Sequence, residues 1–212
     1  MKPLTTFLFD LDGTLLDSIR LILDSYHHTL KVHGHAPRTD AFWLAGIGTP
    51  LRVQFKEWAH DAEVMDQMIA TYRDFNLDKH DTMASAYPEV VAAVRALHGR
   101  GVRLGIVTSK NRRGAERGLE LMGLAGEFSL IIGADDVVNP KPHPEPVLKA
   151  LAHFGVGADE AVYIGDSVHD MHSGRAAGVR TAAVLWGPFA RKDLEGTKPD
   201  YWLEKPGELL RL

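Results

Sequence analysis

Asp10 and Asp12 stand two apart in the stretch Phe9-Asp10-Leu11-Asp12-Gly13-Thr14, at the end of an apolar run that begins near Thr6. Alternate residues of an extended chain face the same side, so these two carboxylates point together at a separation where two anions repel. Something cationic has to sit between them. Three further polar clusters follow: Thr108-Ser109, Lys141, and Gly165-Asp166-Ser167-Val168-His169-Asp170. Asp166 and Asp170 flank a predicted helix start, where the helix dipole favours carboxylates and an i, i+4 spacing gives a shared face. Oxygen ligands from several loops, with water completing an octahedron, are the chemistry of Mg²⁺. Lys141 and the amides and hydroxyls of Thr108 and Ser109 add donors for an anion. A cation, a carboxylate nucleophile and a ring of donors together describe phosphoryl transfer through an aspartyl-phosphate.

The elements that must position these residues repeat along the chain. Residues 6–11 read as a buried strand that ends in its acids, and the same pattern returns at 102–107, 130–132, 161–164 and 181–185, each run closing on small or polar residues. Helical patterns fill the gaps at 88–100, 113–122, 144–154 and 167–177. Strand and helix in alternation predict an α/β fold, a doubly wound parallel sheet covered on both faces. In such sheets ligands bind at the carboxyl ends of the strands, where the polar clusters converge. Residues 17–83 break the rhythm: they hold no predicted strand but three helical patterns, at 18–32, 50–59 and 63–77. A core from residues 1–16 and 84–212, carrying a smaller helical domain as a lid over the strand ends, is the expected division.

Composition excludes several classes. The 212 residues are 45% hydrophobic and 25% charged, enough for one ordinary core and an appendage. A formal charge of −4 gives no electrostatic footprint for nucleic acid. The absence of Cys removes disulfides, thiolate nucleophiles and Cys-built metal sites, and fits a reducing compartment. An acid at position 10 interrupts any apolar leader, and no apolar run reaches the ~18 residues a membrane helix needs. A soluble, unprocessed, cytoplasmic protein is expected, without nucleic-acid or membrane partners. The sequence says nothing of oligomeric state.

Some residues invite chemistry and are better read otherwise. The His33-Gly34-His35 pair lacks a third ligand at metal-binding spacing and reads as a solvated loop. His27 and His28 read as packing or surface residues, and Trp43, Phe55, Trp58, Tyr72 and Phe75 as the core of the helical insertion. Arg52, after the Gly46-Ile47-Gly48 turn, is the insertion's best candidate for a substrate anion, because a lid needs some group to sense the non-reacting end.

In order along the chain, Phe9-Asp10-Leu11-Asp12-Gly13-Thr14-Leu15, Thr108-Ser109, Lys141-Pro142 and Gly165-Asp166-Ser167-x-x-Asp170 resemble the haloacid dehalogenase-like hydrolase superfamily, over essentially the whole chain. The insertion resembles that superfamily's helical cap. Stretches such as Tyr72-Arg73-Asp74-Phe75-Asn76 and Lys141-Pro142-His143-Pro144-Glu145-Pro146 look like its phosphoglycolate phosphatase and PpaX-type pyrophosphatase branch. The resemblance implies a Rossmann-like core and a Mg²⁺-dependent hydrolase of a small phosphorylated substrate, a phosphoglycolate-like monoester or inorganic pyrophosphate. It implies Asp10 as nucleophile and metal ligand, Asp12 as general acid and then base with its carbonyl on the metal, and Asp166 as a direct metal ligand. Thr108 and Ser109 would hold phosphoryl oxygens, Lys141 would neutralise charge, and Asp170 would act through water or by orienting Lys141. Two alternatives fit the sequence less well. A phospho-acceptor signalling module has no use for the cap, and the sugar phosphomutases carry an Arg where Thr49 stands here.

Overall fold

In the computed structural model, which describes residues 2–212, the first apolar run forms β1 (Thr6–Phe9), followed by a two-residue strand β2 (Leu16–Asp17). The helices α1 (Ile19–Val32), α2 (Asp40–Leu44), α3 (Leu51–Gln54) and α4 (Ala62–Met83) come next, then a second short strand, β3 (Ser85–Ala86). The remainder alternates: α5 (Val90–Gly99), β4 (Arg103–Val107), α6 (Arg112–Leu121), β5 (Leu130–Ile132), α7 (Glu145–Phe154), β6 (Ala161–Gly165), α8 (Val168–Ala176), β7 (Arg180–Val184), α9 (Arg191–Leu194) and β8 (Tyr201–Leu203).

Six strands form one sheet in the order β5-β4-β1-β6-β7-β8, every neighbour parallel. Alternation along each strand divides the side chains between two cores. Phe7, Phe9, Ile106, Val162 and Ile164 pack towards α5 and α6, whereas Leu8, Val107 and Tyr163 face the opposite layer with Val147 and Leu151 of α7. From β1 the chain moves out to β4 and β5, then returns to the other side of β1 with β6. The strand order therefore reverses at β1, and a crevice opens at its carboxyl end.

The helical segment has a core of its own. Tyr26, Trp43, Phe55, Trp58, Met68 and Tyr72 form one buried cluster, with the Tyr26 and Trp43 rings stacked 4.3 Å apart. Of the five aromatics predicted for this core, Phe75 lies outside the cluster and stacks on His28 at 4.4 Å. β2 and β3 pair antiparallel, Leu16 with Ala86 and Asp17 with Ser85, so the chain enters and leaves the segment through adjacent strands.

Boundaries differ from the sequence expectation where burial is polar or elements are short. Helix α4 runs to Met83 rather than residue 77, because its buried stripe continues through Asn76 and His80, which a search for apolar periodicity passes over. Helix α3 stops at Gln54 rather than residue 59, and Phe55 and Trp58 reach the core from the turn beyond it. Helix α2 was missed; its signal is the N-cap Thr39, whose hydroxyl accepts from the Phe42 amide. β8, at three residues, is too short for alternation to register.

Among the described residues no helix is long and apolar enough to cross a membrane.

Candidate active site

Register brings the motifs together. Phe9 lies beside Ile106 of β4 and Ile164 of β6, so Asp10, one residue further on, and Thr108 and Asp166, each two residues further on, emerge at one end of three adjacent strands. The Asp10 amide donates to the Ile164 carbonyl at 2.9 Å and the Thr108 amide to Ile132 at 2.9 Å, which holds both residues at the crevice. Asp10, Thr108, Lys141, Asp166 and Asp170 are all buried.

Lys141 sits among the acids. Its Nζ lies 2.6 Å from Asp170 Oδ1 and 3.1 Å from Asp10 Oδ1, and donates to the Tyr163 hydroxyl at 3.1 Å. Burial opposes the charge on Lys141, but Asp10 and Asp170 overcome it and leave its pKa above the usual lysine value. Asp170 is further held by Ser167, whose amide and hydroxyl donate to Oδ2 at 3.0 and 2.6 Å; this is a capping box at the start of α8. Despite its burial, Lys141 and these hydrogen bonds hold the Asp170 carboxyl below the usual carboxylate range.

The other two acids are short of positive charge. Burial pushes the Asp10 carboxyl up to about 7, with Asp170 adding to the effect and Lys141 opposing it. Burial, then Asp170 and Asp10, push Asp166 well above the ordinary range. Carboxylate oxygens of Asp10, Asp166 and Asp170 lie within 4.8 Å of one another. Asp10 Oδ1 and Asp166 Oδ2 are fully buried without a hydrogen-bond partner, since the approach of Lys141 to Asp10 is an ion pair outside hydrogen-bonding alignment. Lys141 meets Asp10 Oδ1, but among the described residues no lysine or arginine lies within ion-pair distance of Asp166, and a buried carboxylate oxygen left so costs several kcal/mol unless a cation meets it. The donor set, all oxygen, suits a hard divalent ion.

Asp166 is positioned by close backbone approach. Thr14 Oγ1 donates to its Oδ1 at 2.7 Å, and Trp186 Nε1 donates to the Thr14 carbonyl at 2.8 Å. A Cβ at Gly13, where φ is +86°, would lie 2.6 Å from Asp166 Oδ2, and one at Gly187 would lie 2.8 Å from Asp166 Cβ. Gly13→Ala is therefore expected to combine left-handed strain with a clash. At Gly34, where φ is +70° and nothing lies within 4 Å of the added carbon, Ala meets the strain alone. Thermal melts should show a loss of about 1–2 kcal/mol for Gly34→Ala and a clearly larger loss for Gly13→Ala. Equal losses would refute the packing account of Gly13.

Asp12 takes a different environment. Its carboxylate accepts from Lys110 Nζ at 2.9 and 3.1 Å and from Ser18 Oγ at 2.6 Å, and it stands outside the acidic trio. The Ser109 hydroxyl donates to the Gly48 carbonyl at 2.6 Å, joining the β4 loop to the helical segment. Arg52 lines the cavity above the strand ends, but its guanidinium pairs with Asp66. His27 pairs with Asp40, His33 bonds Thr71, and among the described residues neither His33 nor His35 falls in a cluster of three or more metal-ligating side chains. Sequence reasoning missed Lys110 and Tyr163. Lys110 directly follows Thr108-Ser109, which was a usable signal; Tyr163, inside an apolar strand, gave none.

The cavity holds about 450 Å³. Asp10, Asp12, Thr108 and Asp166 line its floor, and Tyr26 and Tyr72 face it from the helical side. The family model described as haloacid dehalogenase-like hydrolase matches residues 7–184, which carry all of these floor residues. The chain belongs to this family. Among relatives, the pyrophosphatase PpaX of Anoxybacillus flavithermus is 43% identical over 209 residues, covering 99% of this chain and 96% of its own. The pyrophosphatase PpaX of Bacillus velezensis is 42% identical over 213 residues, covering 100% and 97%. A solved haloacid dehalogenase-like family hydrolase from Streptococcus pneumoniae superposes with a TM-score of 0.86 at 27% identity, over 100% of this chain and 99% of that one. A chain from Bacteroides fragilis gives 0.90 at 29%, over 97% and 99%. As a haloacid dehalogenase-like hydrolase the protein is an enzyme, and its fold is the α/β architecture of that family.

Proposed function

We propose that the protein is a Mg²⁺-dependent phosphatase of a small phosphorylated metabolite, a phosphoglycolate-like monoester or inorganic pyrophosphate, working through an aspartyl-phosphate. The observation that carries this reading is the buried cluster of Asp10, Asp166 and Asp170 carboxylates, which among the described residues has Lys141 as its one cation and leaves Asp166 Oδ2 with no partner. The PpaX relatives support the pyrophosphate end of the range.

Asp10 and Asp166, with the Asp12 carbonyl, would hold Mg²⁺, which supplies charge neutralisation for the transferring group. The Asp10 carboxylate attacks phosphorus, forming an O–P bond as the bond to the leaving oxygen breaks. Asp12, ion-paired with Lys110 in this structure, would take up a proton as the substrate enters, deliver it to that oxygen, and then take one from the water that cleaves the acyl-phosphate. Thr108 and the Ser109 amide hold phosphoryl oxygens, and Lys141 offsets the repulsion between Asp10 and the incoming anion. Asp170 fixes Lys141 in place. Residues 17–83 act as a cap over the site, moving on the β2–β3 ribbon to admit substrate and exclude water. Phosphate release from pyrophosphate, 2-phosphoglycolate and neutral-tailed monoesters, with and without EDTA, tests the reading. Turnover that survives EDTA contradicts it.

The acid pKa shifts give a second test. A carboxyl near 7 in the folded protein and near 4 unfolded binds more protons when folded over that interval. Stability of the metal-free protein therefore falls as pH rises from about 4 to about 7, by at most ~1.4 kcal/mol per pH unit for each such group. Mg²⁺ must displace those protons, so its stabilising effect grows over the same window. Melting curves at pH 5.5 and 7.5 should show a larger Mg²⁺ shift at the higher pH; a shift independent of pH is the contrary result.

A further inference from the structure

The cavity is lined by four cationic side chains besides the catalytic floor: Arg52, Arg73, Lys110 and Arg113. Two are already neutralised, Arg52 by Asp66 and Lys110 by Asp12. Among the described residues, neither Arg73 nor Arg113 has a carboxylate within ion-pair distance or a side-chain hydrogen bond. They come from opposite walls. Arg73 lies on α4, in the stripe that turns Ile69, Tyr72 and Asn76 towards the cavity, and Arg113 lies in the first turn of α6, beyond the Thr108 loop. Both arginines are exposed, so water satisfies their guanidinium groups in the open cavity and both are free to pair with an anion that enters it. The transferring phosphoryl group is already served by Lys141 and the Thr108 loop at the floor. What remains for the two arginines is the other end of the substrate.

We propose that Arg73 and Arg113 form a subsite for a negatively charged leaving group, a second phosphate or a carboxylate, and so set the enzyme's preference for substrates anionic at both ends. This deepens the phosphatase reading and rests on it. Guanidinium forks suit both oxyanions, and charge-assisted bonds of this kind discriminate strongly against a neutral tail. Arg52, the sequence candidate for this task, also lines the cavity, in an exposed ion pair with Asp66.

Arg73→Gln and Arg113→Gln should each lower kcat/KM for pyrophosphate and 2-phosphoglycolate by about 10-fold or more, chiefly through KM, and the double variant by about 100-fold. For p-nitrophenyl phosphate, whose tail carries no anion, the change should stay within about threefold. Arg73→Lys should retain much of the activity lost in Arg73→Gln. Mg²⁺-dependent binding of methylenediphosphonate, followed by calorimetry, should be lost in the double variant while orthovanadate binding persists. An equal decline on anionic and neutral substrates overturns the proposal, as does unchanged pyrophosphate hydrolysis, or a wild type that binds orthovanadate but not methylenediphosphonate. Failure of the underlying reading looks different: the wild type would turn over these compounds without metal, or Asp10→Asn would remain active. The calorimetric comparison decides the subsite in either case.

Discussion

Asp10→Asn removes phosphate release to below about one part in 10,000 of the wild-type rate, and it does so without unfolding the protein. The amide has the shape of the carboxylate but no lone pair of comparable nucleophilicity, so the O–P bond of the intermediate cannot form. Its effect on stability has the opposite sign from most substitutions at buried polar sites. Asp10 is only 5% exposed and competes with Asp170 for the charge of Lys141. Removing it relieves a buried, undercompensated anion. The metal-free variant should therefore melt at the wild-type temperature or above it, and Mg²⁺ should stabilise it much less than the wild type. Phosphate release and melting curves with and without Mg²⁺ check both halves. Activity above about one per cent would remove Asp10 from the nucleophile's role, and a full Mg²⁺ response would remove it from the metal site.

The residues of the floor were legible because a parallel sheet converts sequence order into spatial order. A strand that ends in Asp10, one that ends in Thr108 and one that ends in Asp166 deliver those side chains to one edge whatever the intervening helices contain. The acids also advertise themselves, since a carboxylate directly after an apolar run has no purpose in the core. Tyr163 was illegible for the converse reason: it occupies an ordinary inward position of β6, and only the tertiary approach of Lys141 and Asp170 gives its hydroxyl work. Arg73 and Arg52 show the same limit in the helical segment. Sequence alone singles out Arg52 as the candidate for a substrate anion and gives Arg73 no role; whether each is free depends on whether another helix brings a carboxylate to it, as α4 brings Asp66 to Arg52. Helix α4 itself was cut short because Asn76 and His80 continue its buried face with polar side chains. Hydrophobic periodicity finds where apolar burial happens, and chemistry gathers where burial is polar.

Lys141→Met tests the electrostatics of the site most severely, because one ammonium is the counter-charge to a buried trio. Methionine fills similar volume along the stem, so packing is nearly conserved. The charge is not. Asp170 keeps its bonds from Ser167 and lies 2.9 Å from the Tyr163 hydroxyl, yet no cation remains within the buried cluster. Breaking a buried pair from one side costs about 3–5 kcal/mol, which for a chain of this size lowers the melting temperature by about 10 °C. Turnover should fall about 1,000-fold or more, since the anion–anion repulsion at Asp10 then goes unopposed by the protein. Mg²⁺ should raise the melting temperature of this variant by more than it raises that of the wild type, because the metal becomes the only positive charge available to the trio. The paired variant Lys141→Met with Asp170→Asn separates charge balance from packing. Once the partner's charge is also gone, much of the lost stability should return, while turnover stays low because Asp10 still faces the substrate without its lysine. If stability fails to recover in the pair, the cost of Lys141→Met lies in shape rather than charge. The ion pair at 2.6 Å would then be an ordinary structural contact.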